Sequence, residues 1–362
     1  VAKRPACARA FAEDIAMSGY NAVFESLGLQ GWCSAGTQGG PVTLAQLLAK
    51  AKANQAGAGE GSLPFPSLDA LNSACPAIPR TRDMTSAIEH GFLTVRDGLK
   101  VVLDPLTQPL SWLLELSLKV VDLVPWWLMI LALLALTWWL SRSLRITALA
   151  GSILLALGLV DHLHYALQTM AIVFTCTLIC ILAGLPIGIL MSRSERFKSA
   201  ALPVLDMLQT LPSFVYLIPL IFLFSVTEPK LYGIAIILYA IVPVVRLTDL
   251  GIRQVDGSVG EAAESFGMSG WQRLTSVELP LALPSIMAGV NQTIMMALSM
   301  VVIASLVSAP GLGVLVLRGI NNLELGVGLV AGLAIVLLAI AFDRVTKASM
   351  ARLSAQSKGY NP

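Results

Sequence analysis

The sequence predicts an all-α polytopic membrane protein, and three observations carry that reading. Of 362 residues, 56% are hydrophobic and only 13% charged, with a mean hydropathy of +0.76; a soluble domain carries about 25% charged residues. Apolar runs of roughly spanning length recur from position 124 onward. Between two of them lies a long polar loop, 248–284, that carries helix-capping patterns of its own. The net charge of +2 gives no reason to expect a nucleic-acid partner.

Residues 1–90 read as an extra-membrane tail of mixed charge with short apolar patches, and Gly57 to Pro66 reads as a linker. The first run long enough to span begins near Val124, so no N-terminal signal peptide is expected. Over 91–123, Leu113, Leu114, Leu116, Val120 and Val121 alternate with Glu115, Lys119 and Asp122. Charges this frequent oppose spanning and predict amphipathic, interfacial helices.

A helix needs about 20 residues to cross a bilayer. The runs 124–140, 146–160, 165–191, 201–226, 231–247, 285–308 and 325–342 give seven candidate spans. The first two, within 124–160, are short; they read either as two spans or as one hairpin that does not fully cross. The segment 161–350 holds the remaining five candidate spans and the polar loop, and 351–362 reads as a C-terminal tail. Basic residues cluster after alternate spans: Arg142 and Arg145, then Arg193, Arg196 and Lys198, then Arg246 and Arg253, then Arg344, Lys347 and Arg352. By the excess of Lys and Arg in cytoplasmic loops, that side is cytoplasmic, which leaves the N-terminus outside and the C-terminus inside. An external tail permits a Cys33–Cys75 disulfide. Cys176 and Cys180, four apart in a span, read as small packing residues, and no metal-ligand spacing occurs.

The polar loop is the most informative stretch. Ser258 and Glu261 stand three apart, a capping-box spacing that predicts a helix from Val259. Val259, Ala262, Ala263 and Phe266 fall on one face at helical spacing, with Glu261 and Glu264 off it. Gly267 is placed to end the helix in a left-handed residue. Ser269 and Gln272 repeat the capping-box spacing, so a second short helix follows, and Leu279-Pro280 leads back into the membrane. A helix resting on anionic lipid would carry Lys and Arg on its polar face, whereas this one carries glutamates. A protein groove is the better partner for its apolar face.

Two apolar runs carry polar residues. One has Gln209 and Thr210 before Pro212, where the helix should break and free backbone carbonyls. The other has Asn291, Gln292, Met295 and Ser299. Such residues either line a route through the membrane or hold helices together by hydrogen bonds.

Glu261-Ala262-Ala263, three residues, Gly267, nine residues, an aliphatic, one residue and Leu279-Pro280 resemble the signature loop of the membrane subunits of ABC importers. Leu208 to Leu217, Arg246-Leu247-Thr248, Met287 to Thr293, Ala297 to Ala304, Gly311-Leu312-Gly313 and Leu317 to Ile320 are similar to the permease of the proline/glycine betaine/choline importers. That resemblance implies a type I importer permease fold with a coupling-helix loop, set in the bacterial inner membrane. It implies pairing with a second copy of the chain, two ATPase subunits and a periplasmic solute-binding protein. ATP and Mg would be bound by the ATPase partner, with no cofactor in this chain. The cargo would be a compatible solute such as glycine betaine, proline betaine, choline or trimethylamine N-oxide. Phe214 and Tyr216 are then candidates to attract a quaternary ammonium by cation–π interaction.

The residues agree with that division of labour. There is no G-x-x-x-x-G-K-[ST] sequence, and no lysine follows a glycine, so nucleotide is hydrolysed elsewhere. No catalytic constellation is recognisable, which argues against an enzyme. A secondary transporter or channel would explain the spans and their polar residues, but not a capped helix pair outside the membrane.

Overall fold

The computed structural model describes residues 20, 21, 23–29, 33, 71, 75 and 81–358. The expected linker at 57–66 lies outside them. The chain divides into two units, Val1–Asp97 and Gly98–Pro362. In the first, Cys33 and Cys75 are joined by a disulfide and buried.

From residue 81 onward the α-helices are α1 (Thr81–Leu123), α2 (Trp126–Ser141), α3 (Leu144–Leu159), α4 (Leu163–Arg193), α5 (Glu195–Thr210), α6 (Leu217–Leu223), α7 (Pro229–Arg253), α8 (Gly257–Ser265), α9 (Gly270–Arg273), α10 (Leu279–Ala304), α11 (Leu312–Asn321) and α12 (Leu325–Lys358). No strand occurs among the described residues.

Among the described residues, four stretches are long and apolar enough to cross a membrane, α4, α7, Gly270–Val307 and Leu325–Arg352, and up to six if each of two bent pairs counts as one span: Thr85–Leu123 with α2, bent by 118°, and α5 with Ser213–Leu223. The run expected as one span over 201–226 is two helices, α5 and a short 3-10 turn leading into α6, bent by 106° at the Leu211–Pro212 break. The bend has a covalent cause: proline has no N–H to continue the ladder, and it pushes the residue before it into extended geometry. Leu211 is extended accordingly, at φ −65° and ψ 132°. Helices α2 and α3 have 16 residues each, short of a full crossing. They pack on each other and on α12, where Arg352 donates to the Trp139 carbonyl at 2.8 Å. The helix expected over 91–123 starts at Thr81, and the last helix runs to Lys358 rather than 342. Periodicity sees only apolar faces, so helix that continues past them is missed.

The core is the packing of α4, α7 and α10. Leu231, Ala235, Ile236, Ala240, Val242, Val244 and Val245 of α7 are fully buried. Close approach comes from glycine: a Cβ on Gly188 of α4 would lie 2.6 Å from the Thr248 Cβ and 2.7 Å from the Val245 carbonyl of α7, and one on Gly184 would overlap Val244. Near the start of α7, Leu110 and Leu114 of α1 sit against Gly233. Lys230 is buried there between Asp104 (2.7 Å) and Glu228 (2.8 Å).

Candidate functional site

The polar loop folds as two short helices outside the apolar core. The first is α8, and its cap differs from expectation. Asp256, not Ser258, is the N-cap, accepting from the Ser258 N–H at 2.9 Å, so the helix starts at Gly257 and Ser258 lies inside it. Hydrogen bonds from the Ser258 N–H and then its hydroxyl hold the Asp256 carboxyl below its usual range. Asp256 suits the place because its carboxylate also meets the positive end of the helix dipole.

The helix ends as the sequence suggests. Gly267 has φ +77°. Its N–H reaches the Glu264 carbonyl at 2.9 Å, and the Met268 N–H reaches Ala263 at 3.2 Å, the paired bonds of a Schellman motif. Ser269 and Gln272 then make the reciprocal capping box that opens α9. A π turn over Leu274–Glu278 joins α9 to α10, with the Leu279 N–H bonded to the Leu274 carbonyl. Its cause is Pro280, which has no N–H to offer the Ser276 carbonyl and crowds it, so the preceding turn widens. Leu279 packs on the small core of Ile252, Leu274, Ala282 and Ile286, while Pro280 is exposed.

The apolar face divides. Ala263 is 5% exposed and seats α8 on its own chain. Val259, Ala262 and Phe266 face outward, Phe266 at 86% exposure, with Glu261 exposed beside them. Trp271, at 72%, stands out from α9, and Met268 is exposed between them. Trp271 went unmarked in the sequence because a four-residue helix has no periodicity to flag it. Its place between Ser269 and Gln272, inside a capping box, was the available signal.

Ion pairs tie the loop down. Each Glu278 oxygen faces one guanidinium, Arg193 at the end of α4 (2.6 Å) and Arg273 of α9 (2.9 Å). Arg273 also pairs with Glu264 of α8. Beside them, Arg253 pairs with Asp249 (2.6 Å) and Glu195, and donates to the Met191 carbonyl at 2.7 Å; Lys198 reaches Asp249 at 3.0 Å.

The polar span residues separate into two groups. Gln209, Thr210 and Pro212 are exposed at the break, and Phe214, 56% exposed, follows it. Tyr216 is buried, and its hydroxyl donates to the Leu208 carbonyl. On α10, Gln292 and Ser299 are exposed along one face, with Met295 half-buried between them; the Ser299 hydroxyl is bonded back to the Met295 carbonyl at 3.1 Å. Asn291 lies off that face and donates to Asp343 of α12 at 3.3 Å.

Residues 181–355 match the family described as the inner membrane component of binding-protein-dependent transport systems. The chain is 39% identical to the glycine betaine/proline betaine transport system permease protein ProW of Escherichia coli, over 79% of this chain and 80% of that one. It is 45% identical to the glycine betaine permease OpuAB of Bacillus subtilis, over 62% and 79%. It is 35% identical to the trimethylamine N-oxide permease TmoV of Ruegeria pomeroyi, over 71% of this chain and 38% of that one. The chain belongs to the family of binding-protein-dependent transport permeases. It is a multi-pass inner-membrane transport subunit, not an enzyme.

Within this permease, the Gly311-Leu312-Gly313 segment has a physical reason. Gly311 sits at φ +119° with no room for a Cβ beside Thr169, and the Thr169 hydroxyl accepts from the Leu312 N–H at 2.9 Å. A side chain on Gly313 would overlap Ser305. The segment fastens the start of α11 to both α4 and the end of α10.

Proposed function

We propose that this permease is the membrane subunit of an ATP-driven importer of compatible solutes, working as a pair of copies with two ATPase subunits and a solute-binding protein. The observation that carries the reading is the capped helix pair α8–α9, fixed to the core by ion pairs and offering Val259, Ala262, Phe266 and Trp271 outward. A rigid apolar knob beside glutamates fits a protein groove better than anionic lipid. ATP and Mg belong to the ATPase partner. The cargo class follows the relatives, named for glycine betaine, proline betaine and trimethylamine N-oxide: a small solute with a trimethylammonium or related head group.

In this reading the loop side is cytoplasmic. The basic residues Arg193, Arg196, Lys198, Arg246 and Arg253 support that orientation. The Cys33–Cys75 disulfide supports an N-terminus in the oxidising compartment. Gln209, Thr210, Pro212 and Phe214 at the broken span, with Gln292, Met295 and Ser299 of α10, supply a weakly polar route. Tyr216 shapes the break from behind it, and Asn291 ties α10 to α12. Strong binding along the route would slow release, so selectivity rests with the binding protein.

The test is uptake by vesicles holding this chain, its ATPase and its binding protein, challenged with glycine betaine, proline betaine, choline, carnitine and trimethylamine N-oxide. ATP-dependent accumulation of at least one is expected. Uptake that persists without the ATPase would overturn the reading in favour of a secondary transporter or channel.

A further inference from the structure

Glu278 occupies the one unspecified position in the aliphatic-x-Leu-Pro end of the loop signature, and the geometry around it is specific. Its side chain is 12% exposed. One carboxylate oxygen faces Arg193 in the last turn of α4, and the other faces Arg273 of α9, which also pairs with Glu264 of α8. Glu278 is also the last residue of the π turn that joins the loop helices to α10. A widened turn is a soft joint, because its hydrogen bonds are poorer than those of an α-helix. Without a brace, displacement of α8–α9 would be absorbed there.

We infer that Glu278 is a positioning residue that braces this joint, so that α8, α9 and the ends of α4 and α10 move as one body. Two paths then lead from the loop into the membrane. One is covalent, through the π turn into α10. The other is electrostatic, from Glu264 through Arg273 and Glu278 to Arg193, and so into α4. Helix α4 is locked to α7 by the close contacts at Gly184 and Gly188, and Gly251 of α7 backs onto Ala282 and Ser285 of α10. A push on the loop therefore reaches all three core helices. A nearly buried carboxylate held by two guanidiniums resists separation, because removing either partner leaves a charge uncompensated.

This rests on the reading of α8–α9 as the dock for an ATPase subunit, and the experiment separates the two. Vesicles reconstituted with this chain, its ATPase and its binding protein are assayed for solute uptake and for ATP hydrolysis. Failure of the unmutated chain to bind the ATPase counts against the dock itself. Given that binding, Glu278→Gln should retain the ATPase and its hydrolysis, while solute carried per ATP falls about fivefold. Arg193→Gln should do the same, Arg193→Lys should restore most of the yield, and the double variant should be no worse than either single one. Should Glu278→Gln fail to insert, the Arg193 pair decides alone. Normal yield in Arg193→Gln, or strictly multiplicative losses in the double variant, would overturn the brace.

Discussion

The Tyr216 hydroxyl donates to the carbonyl of Leu208, the acceptor that would pair with residue 212 in an unbroken helix. Residue 212 is proline and has no N–H to give. A side chain from beyond the break thus replaces the donor that the break removed, and this explains why Tyr216 is buried while Phe214, two residues earlier, is exposed. Tyr216→Phe should leave that carbonyl unpaired and cost about 1–3 kcal/mol. Thermal unfolding in detergent should show the loss, with the order of preference among solutes unchanged. Unaltered stability would mean the hydroxyl does not serve the break.

Gly267 separates strain from clash. Its φ of +77° is unfavourable for side chains, yet nothing lies within 4 Å of where a Cβ would go. Asn tolerates this conformation, while a β-branched residue is a true outlier there. Gly267→Asn should keep near-normal ATP-driven uptake. Gly267→Val should disturb the turn between α8 and α9 and uncouple hydrolysis from uptake, with membrane insertion intact. Equal behaviour of the two variants in the vesicle assay would refute the role given to the turn.

Gly188 is the opposite case, a helical glycine with ordinary φ but no space. A methyl there meets the Val245 carbonyl and Thr248, neither a free end of a flexible side chain. Gly188→Ala should force α4 and α7 apart and cost about 1–3 kcal/mol. Gly151, where an added Cβ would meet only the Leu134 side chain, should accept alanine with a much smaller change. Melting temperatures of the two purified variants compare these directly.

What was legible in the sequence follows from what sequence patterns encode. The Ser269–Gln272 box, the Gly267 terminator and the Pro212 break are local chemistry, decided within a few residues. The face of α8 was only half legible, because spacing assigns Ala263 to the apolar side but cannot say that it turns toward the chain's own core while Phe266 turns away. The spacing of Ser258 to Glu261 fits a capping box and points to Ser258, whereas Asp256, two residues earlier and the stronger acceptor, is the cap. The Arg193–Glu278 bridge was not legible at all. Its partners lie 85 positions apart, and one stands at a position the loop signature leaves open.

Asp256 gives a pH-dependent prediction whose sign follows from its hydrogen bonds. The Ser258 N–H and the hydroxyl of the same residue favour the ionised carboxylate, so its folded-state pKa lies below the ordinary value of 3.8. A depressed carboxylate pKa means that the cap contributes fully above that ordinary value. The contribution is lost as pH falls through the lower, folded-state pKa. Helix α8 should therefore stay protected at neutral pH and fray only in strong acid. Hydrogen exchange of a peptide covering 257–266, corrected for intrinsic rates, should show constant protection from pH 7 down to about 5 and a decline below about 4. Asp256→Ala should lower protection at pH 7 and remove that acid-dependent decline. Asp256→Asn, which can still accept from the Ser258 N–H, should keep much of the protection at every pH. An acid decline that survives in Asp256→Ala would assign the pH response to another group.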